Sequence, residues 1–209
     1  IGSKGDVVCF SFDGIKNITS GEGGAVVTSD NKLADRIKDA RLLGVIKDSE
    51  KRFLGQRSWD FDVHNQGFRY HMSDIMAAIG RAQLGRFEEL AAQRCIIAKK
   101  YAASFKNMIG ISFIQLDYTS VVPHIFPVFF KSSEIRDSIK VSLLEAGIET
   151  GLHYKPNHTL EFYNSSCSSL PKAENLYAVT LTLPLHPSLS SGETDFIVNN
   201  IKTLLVESR

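Results

Sequence analysis

Two short apolar runs, residues 7–12 (VVCFSF) and 25–29 (AVVTS), flank a connection that carries Lys16 and glycines 21, 23 and 24. β-Branched and aromatic residues bounded by Gly and Asp predict strands, and their nearly unbroken apolar character predicts burial. Downstream, Leu33, Ile37, Ala40 and Leu43 recur at three- and four-residue intervals before Gly44, predicting an amphipathic helix with a glycine stop. Residues 45–72 mix charge, aromatics and glycine without a period, which predicts a long functional loop with extended pieces. Ser73 is placed as an N-cap with Asp74 in the first turn. From there Ile75, Ile79, Phe87, Leu90, Ile97, Tyr101 and Phe105 sustain one inward stripe, predicting a single helix of roughly 45 Å at 1.5 Å per residue. Gly80 and Gly85 within it each cost about 1 kcal/mol relative to alanine and point to close packing or a bend.

The remaining pattern alternates. It predicts strands at 110–115 (GISFIQ), 124–130 (HIFPVFF) and 148–154 (IETGLHY), helices at 133–147 and 171–179, and a turn at 182–187 (TLPLHP). A last helix opens with Ser190 and Glu193 at capping-box spacing and turns Phe196, Ile197, Ile201 and Leu204 inward. Helices laid against a small sheet predict an α+β or α/β domain. No internal repeat is present, and the long helix is placed as a link between residues 1–95 and 96–209.

Composition narrows the function classes. Lys+Arg total 24 against 23 Asp+Glu, a net charge of +1, so the chain lacks the excess that drives binding to nucleic acid or anionic membranes. No apolar run approaches the roughly 20 residues of a membrane span, and residues 1–8 read as neither signal peptide nor initiator. Cys9, Cys95 and Cys167 are odd in number and without CxxC spacing, which predicts a reducing cytoplasm and neither a disulfide frame nor a zinc site. A chain that opens on a buried strand is expected to begin at an internal position of a longer polypeptide.

Lys16 admits three readings. A solvated turn lysine is the default. A phosphate loop is disfavoured, because GxxxxGK[ST] is absent and a strand, not a helix, follows the glycines. The third is a Schiff-base lysine: a partly desolvated amine is a nucleophile toward carbonyls, and Gly21, Gly23 and Gly24 would let a flat ligand approach the backbone. His153 and His158 lie five apart in a segment interrupted by Pro156 with no completing ligand nearby, a poor metal set.

The stretch GDVVCFSFDGIKNITSGEGGAVVTSD resembles the cofactor-lysine segment of the DegT/DnrJ/EryC1/StrS family of PLP-dependent sugar aminotransferases (PLP, pyridoxal 5′-phosphate), approximately GD-x3-FSFH-x2-K-x-ITTGEGG. GFRYHMSDIMAAIGRAQL, RDSIKVSLLEAGIETGLHYKPNH and LPKAENLYAVTLTLPLHPSL resemble further segments of that family, so the likeness runs the length of the chain. It implies an α/β chain belonging to the PLP-dependent transferase fold type I, comprising the end of the large domain and the small C-terminal α/β domain. It implies that Lys16 forms the internal aldimine and then shuttles a proton, that Ser11 contacts the cofactor phosphate, and that His153, Tyr154 and His158 lie near the sugar-nucleotide pocket. Arg69 stands where the family has an Asn that reaches the neighbouring subunit's phosphate, so a homodimer with composite sites is implied, and Arg69 offers a charge-assisted contact in its place. Other positions depart from the pattern: Asp13 and Leu43 replace family histidines, and His71 replaces an arginine. Glu22 is expected to brace the glycine turn.

The implied activity is transfer of an amino group from Glu or Gln to a nucleotide-linked keto-deoxy-sugar in the cytoplasm, in amino-sugar biosynthesis. Dehydratase relatives carry His at the lysine position, so Lys16 favours transamination. The residues expected to pair with the cofactor's pyridine nitrogen and to stack on its ring have no counterpart among these 209. The alternative is a non-catalytic partner subunit that keeps dimerisation or sugar-nucleotide binding, which the departures at Leu43, Arg69 and His71 would fit. A PLP-independent Schiff-base aldolase is a third.

Overall fold

The connection around Lys16 joins two strands that pair with each other. In the computed structural model, which describes residues 5–46, 54–56, 61–163 and 169–207, β1 (Val7–Ser11) and β2 (Gly24–Thr28) run antiparallel, with Val7 opposite Thr28 and Ser11 opposite Gly24. A Cβ at Gly24 would lie 2.5 Å from the Phe10 carbonyl oxygen, so glycine is required for the strands to meet there. The expected burial of these strands is not found: Val7 is 45% exposed, and Val26 and Val27 are each 44% exposed. Among the described residues this sheet has two strands, and a two-stranded hairpin offers little cover for its own side chains. Apolar composition reports a strand's need for cover and not the segment that supplies it.

The chain divides into two compact units, Ile1–Phe87 and Glu88–Arg209. In the first, α1 (Asn31–Ala40) is capped by Asp30, whose Oδ1 accepts from the amides of Lys32 at 2.8 Å and Leu33 at 3.2 Å. The helix ends three residues before Gly44, and Leu43 and Gly44 both take the left-handed conformation (φ 64° and 74°). The stripe expected to include Leu43 therefore stops short: Leu42 is buried and Leu43 exposed.

The single long helix is interrupted. α2 (Asp74–Gly85) starts on Ser73, whose hydroxyl accepts from the Met76 amide at 3.3 Å, and α3 (Phe87–Phe105) follows after Arg86 leaves helical geometry. The two glycines divide the expected roles. A Cβ on Gly80 would stand 3.4 Å from Cβ of Ser20, whereas Gly85 has open space and marks the break. Ile75 and Ile79 are exposed, contrary to the inward stripe, while Ile97, Tyr101 and Phe105 of α3 are buried. Among the described residues, only the α3 part of the stripe faces a core.

That core belongs to the second unit. β3 (Ile111–Phe113), β4 (Phe126–Phe130) and β5 (Thr180–Leu183) form an antiparallel sheet in that order. Phe126, Val128 and Phe130 alternate inward to meet Tyr101, Phe105 and Ile111, with Ile139 and Leu143 of α4 (Ser133–Glu145) and Ile197, Val198 and Ile201 of α6 (Ser191–Glu207) completing the cluster. Pro127 is tolerated in the middle strand because β3 pairs only residues 128–130. Arg94, buried in α3, donates from Nη1 to the carbonyls of His124 (3.3 Å) and Leu185 (2.9 Å), and burial lowers its pKa. Arg136 donates to the Thr180 carbonyl at 3.3 Å, tying α4 to the junction between α5 (Pro171–Val179) and β5.

Three expectations change here. Residues 148–154 are not a strand; they contribute one bridge, in which Gly151 and Thr182 exchange both backbone hydrogen bonds. The predicted turn at 182–187 begins as strand, since β5 occupies 180–183 with all four residues buried, between β4 and that bridge. Phe196 is exposed, because α6 buries the 194/197/198/201/205 face. The capping box itself forms, with Glu193 Oε2 accepting from the Ser190 amide at 2.8 Å and Ser190 Oγ accepting from the Glu193 amide at 3.2 Å.

Candidate active site

Lys16 sits half-buried on a turn that the hairpin extends outward. Beyond β1, the Phe12 amide donates to the Gly23 carbonyl and the Ser20 amide to the Phe12 carbonyl, both at 2.9 Å. Above this rung Asp13 organises the turn. Its Oδ1 accepts from the Ile15 amide (3.1 Å), its carbonyl accepts from the Lys16 amide (3.0 Å), and its own amide donates to Ser11 Oγ (3.4 Å). On the return side, Gly21 donates to Thr19 Oγ1 (2.9 Å), and the fully buried Ser20 hydroxyl donates to the Glu22 carbonyl (2.7 Å). Glu22 thus braces the glycine turn through its backbone. No hydrogen bond or ion pair engages the Lys16 amine among the described residues.

The glycines serve the chain's own packing more than the sequence suggested. Gly21 and Gly23 have positive φ (84° and 141°), and a Cβ on Gly23 would meet Met72 Cε at 2.5 Å. Met72 closes the segment that bears Arg69, so that segment lies against the glycine turn. Arg69 is exposed and bridges to Leu42. Around it Leu43 donates to the Phe68 carbonyl (3.0 Å), Phe68 to that of Ala40 (2.7 Å) and Tyr70 to that of Arg41 (2.9 Å). The Phe68 and Tyr70 rings stack at 5.1 Å, and alternation in an extended chain sends Arg69 to the opposite face. The crossing works because Gly44 and Gly67 approach backbone to backbone: a Cβ on Gly67 would collide with the Gly44 nitrogen. Gly67→Ala is expected to cost about 2 kcal/mol by overpacking, read as a lower urea midpoint at unchanged m-value. A cleft of about 300 Å³ in this unit is lined by Arg36, Ile37, Gly44 and Asn65, away from Lys16 and Ser11.

His153, Tyr154 and His158 belong to the second unit. The His153 ring presses on Gly151, where a Cβ would lie 2.6 Å from Cε1, and its Nδ1 is buried without a partner. Its ring meets that of Tyr154 edge-on at 4.6 Å, and Tyr154 is exposed. His158 differs. Its side chain is only 9% exposed, and its Nε2 lies 2.8 Å from Glu174 Oε1. Glu174 also accepts from Ser169 Oγ (3.0 Å) and the Leu170 amide (2.7 Å), closing the first turn of α5, where Leu170 offers no side-chain cap. His158 is therefore committed to a clasp that pins the 157–159 turn to α5, leaving Tyr154 as the exposed group of the three. Glu174 was not singled out from the sequence; its place three residues into a helix opened by Pro171 is the signal that marks it.

The clasp has a pH signature. The hydrogen bond from His158, then those from Leu170 and Ser169, hold the Glu174 carboxyl below its ordinary value of 4.5. A depressed folded-state pKa contributes stability that is complete above the unfolded value and lost as pH falls through the folded one. The protection factor of the Leu170 amide, its exchange rate corrected for the intrinsic pH dependence, is accordingly expected to fall as the pH drops below about 4.5, and Glu174→Gln to abolish that acid dependence.

Among the described residues no group of three His, Cys, Asp or Glu is placed to hold a metal, and no helix is long and apolar enough to cross a membrane. Cys167 lies outside the described residues.

The sequence model of the DegT/DnrJ/EryC1/StrS aminotransferase family matches residues 1–202. The spore coat polysaccharide biosynthesis protein SpsC of Bacillus subtilis is 32% identical over 98% of this chain and 55% of its own. The UDP-4-amino-4,6-dideoxy-N-acetyl-β-L-altrosamine transaminase of Campylobacter jejuni (serotype O:2) is 31% identical over 98% of this chain and 54% of its own. Among solved structures, the PMP form of the sugar aminotransferase Spr1654 from Streptococcus pneumoniae superposes with a TM-score of 0.89 at 30% identity, covering 100% of this chain and 55% of that one; the same protein is known in a PLP form. The chain thus spans about half the length of the relatives it matches. The match bears out the expected α/β architecture of a PLP-dependent transferase.

Proposed function

The chain belongs to the DegT/DnrJ/EryC1/StrS aminotransferase family, and from that premise we propose that it transfers an amino group from glutamate or glutamine to a nucleotide-linked keto-deoxy-sugar, with PLP as cofactor. The observation that carries this reading is the Lys16 amine, without a partner among the described residues, on a hydrogen-bonded turn between paired strands. The donor set suits the cofactor: a primary amine for an aldehyde, the Ser11 hydroxyl linked to the same turn through Asp13, and a guanidinium at Arg69 for a phosphate dianion.

When bound, PLP supplies an aldehyde and a conjugated ring that accepts the electrons of the bond broken at the donor's α-carbon. Lys16 Nζ would be the amine that holds that aldehyde and, once released, the base that would carry the proton taken from the donor's α-carbon. Ser11 Oγ, already accepting from the Asp13 amide, keeps its own proton to donate to a phosphate oxygen. Arg69 contacts the phosphate bound by a second copy of the chain, which makes the active unit a homodimer. His153 and Tyr154 present an imidazole and a phenol to the sugar nucleotide, and the enzyme works in the cytoplasm.

Incubation of the intact protein with PLP, ¹⁵N-glutamate and a panel of nucleotide-linked keto-deoxy-sugars should give an amino-sugar nucleotide carrying ¹⁵N. Retention of all label in glutamate, in protein with PLP bound, would contradict the assignment.

A further inference from the structure

Among the described residues, Asp13 alone hydrogen-bonds to both Ser11 and Lys16. Its amide donates to Ser11 Oγ, its carbonyl accepts the Lys16 amide, and its carboxylate Oδ1 accepts the Ile15 amide between them. We propose that Asp13 is a positioning residue for the reaction: by closing this turn with its side chain, it fixes the direction in which Lys16 leaves the hairpin. The proposal rests on the assignment of Lys16 as the cofactor lysine.

The argument follows the chain. The strand pairing ends at the Phe12–Gly23 rung, and two residues beyond Phe12 stands Gly14, with open space where a Cβ would be. Without a local lock, a glycine-containing segment samples many conformations. The two acceptors of Asp13 remove that freedom one residue apart: Oδ1 fixes residue 15 and the carbonyl fixes residue 16. An aspartate or asparagine reaches the amide two residues on, whereas glutamate is one methylene too long for the same ring. The amine gains no other support, since its side chain has no partner among the described residues. The backbone turn alone sets where it points.

Position and charge make opposite predictions, which allows a clean test. In the intact protein, the rate at which borohydride traps PLP on Lys16 is measured for wild type, Asp13→Asn, Asp13→Glu and Asp13→Ala, with thermal midpoints of the cofactor-free forms recorded alongside. Asn keeps the acceptor and loses the charge; Glu keeps the charge and loses the turn. Trapping is expected to stay within about twofold of wild type for Asn and to fall about tenfold for Ala and Glu, the scale of a misplaced reacting group. Midpoints of Asn and Glu should coincide, so that the loss in Glu is not a loss of fold. Wild-type trapping together with a Glu variant as fast as wild type, or an Asn variant as slow as Ala, overturns the positioning role and leaves Lys16 assigned. No trapping on wild-type Lys16 overturns the assignment and the proposal together.

Discussion

Lys16→Ala is expected to lower amino-group transfer by a factor on the order of 10⁴ or more, the scale seen when a covalent nucleophile is removed, while unfolding free energy moves by less than about 0.5 kcal/mol. The two halves of this expectation have separate causes. In the proposed reaction Nζ serves twice, as nucleophile and then as proton carrier, and residues 13–21 of the turn carry no second lysine. Stability, by contrast, draws on the backbone of residue 16, whose amide still donates to Asp13 in the alanine variant. Lys16→Arg should be as inactive as alanine, since a guanidinium does not deprotonate to a free amine. Parallel measurement of turnover and urea unfolding checks both halves.

The largest effect on stability is expected in the second unit. Tyr101 is fully buried, stacks on Phe105 with centroids 6.0 Å apart, meets Phe126 at 5.1 Å, and donates from its hydroxyl to the Pro184 carbonyl at 3.0 Å. Tyr101→Ala leaves an aromatic-sized cavity in a cluster shared by α3, α4, α6 and the sheet, and is expected to cost about 4 kcal/mol. Tyr101→Phe keeps the ring and orphans the Pro184 carbonyl, at about 1 to 2 kcal/mol. Burial raises the pKa of the Tyr101 hydroxyl; the rise means the unfolded tyrosine ionises first, so stability from this group falls as alkaline pH passes the unfolded value. Chemical unfolding of the three proteins gives the two differences.

Local chemistry was legible in the sequence. Ser73, Ser190 and Glu193 cap where expected because a cap is decided by a few adjacent residues, and α5 occupies the segment opened by Pro171. What needed three dimensions was partnership. Val7, Val26, Ile75 and Ile79 carry the pattern of buried positions and are exposed, because apolar spacing names the face to be covered and not the segment that covers it. Leu43 and Phe196 left their expected faces once the helices ended or rotated by a residue. Residues 148–154 have strand composition, yet the backbone of Gly151 alone is paired.

The site divides the same way. Lys16 stood out by type and setting and Ser11 through the family resemblance, and Asp13, whose role the sequence left open, hydrogen-bonds to both. Arg69 is presented by the Gly44–Gly67 crossing, a contact between residues 23 apart that no local pattern encodes. His158 shows the converse: its motif placed it with His153 and Tyr154, and its bond to Glu174 commits it to the loop's architecture.

The central claim is that Lys16 is the residue that holds the cofactor. Reduction of the PLP-loaded intact protein with borohydride, followed by proteolysis and mass spectrometry, reads this directly. The account predicts a phosphopyridoxyl group on the peptide containing Lys16 and on no other; the label on Lys32, Lys38 or another lysine, with Lys16 unmodified, would contradict it.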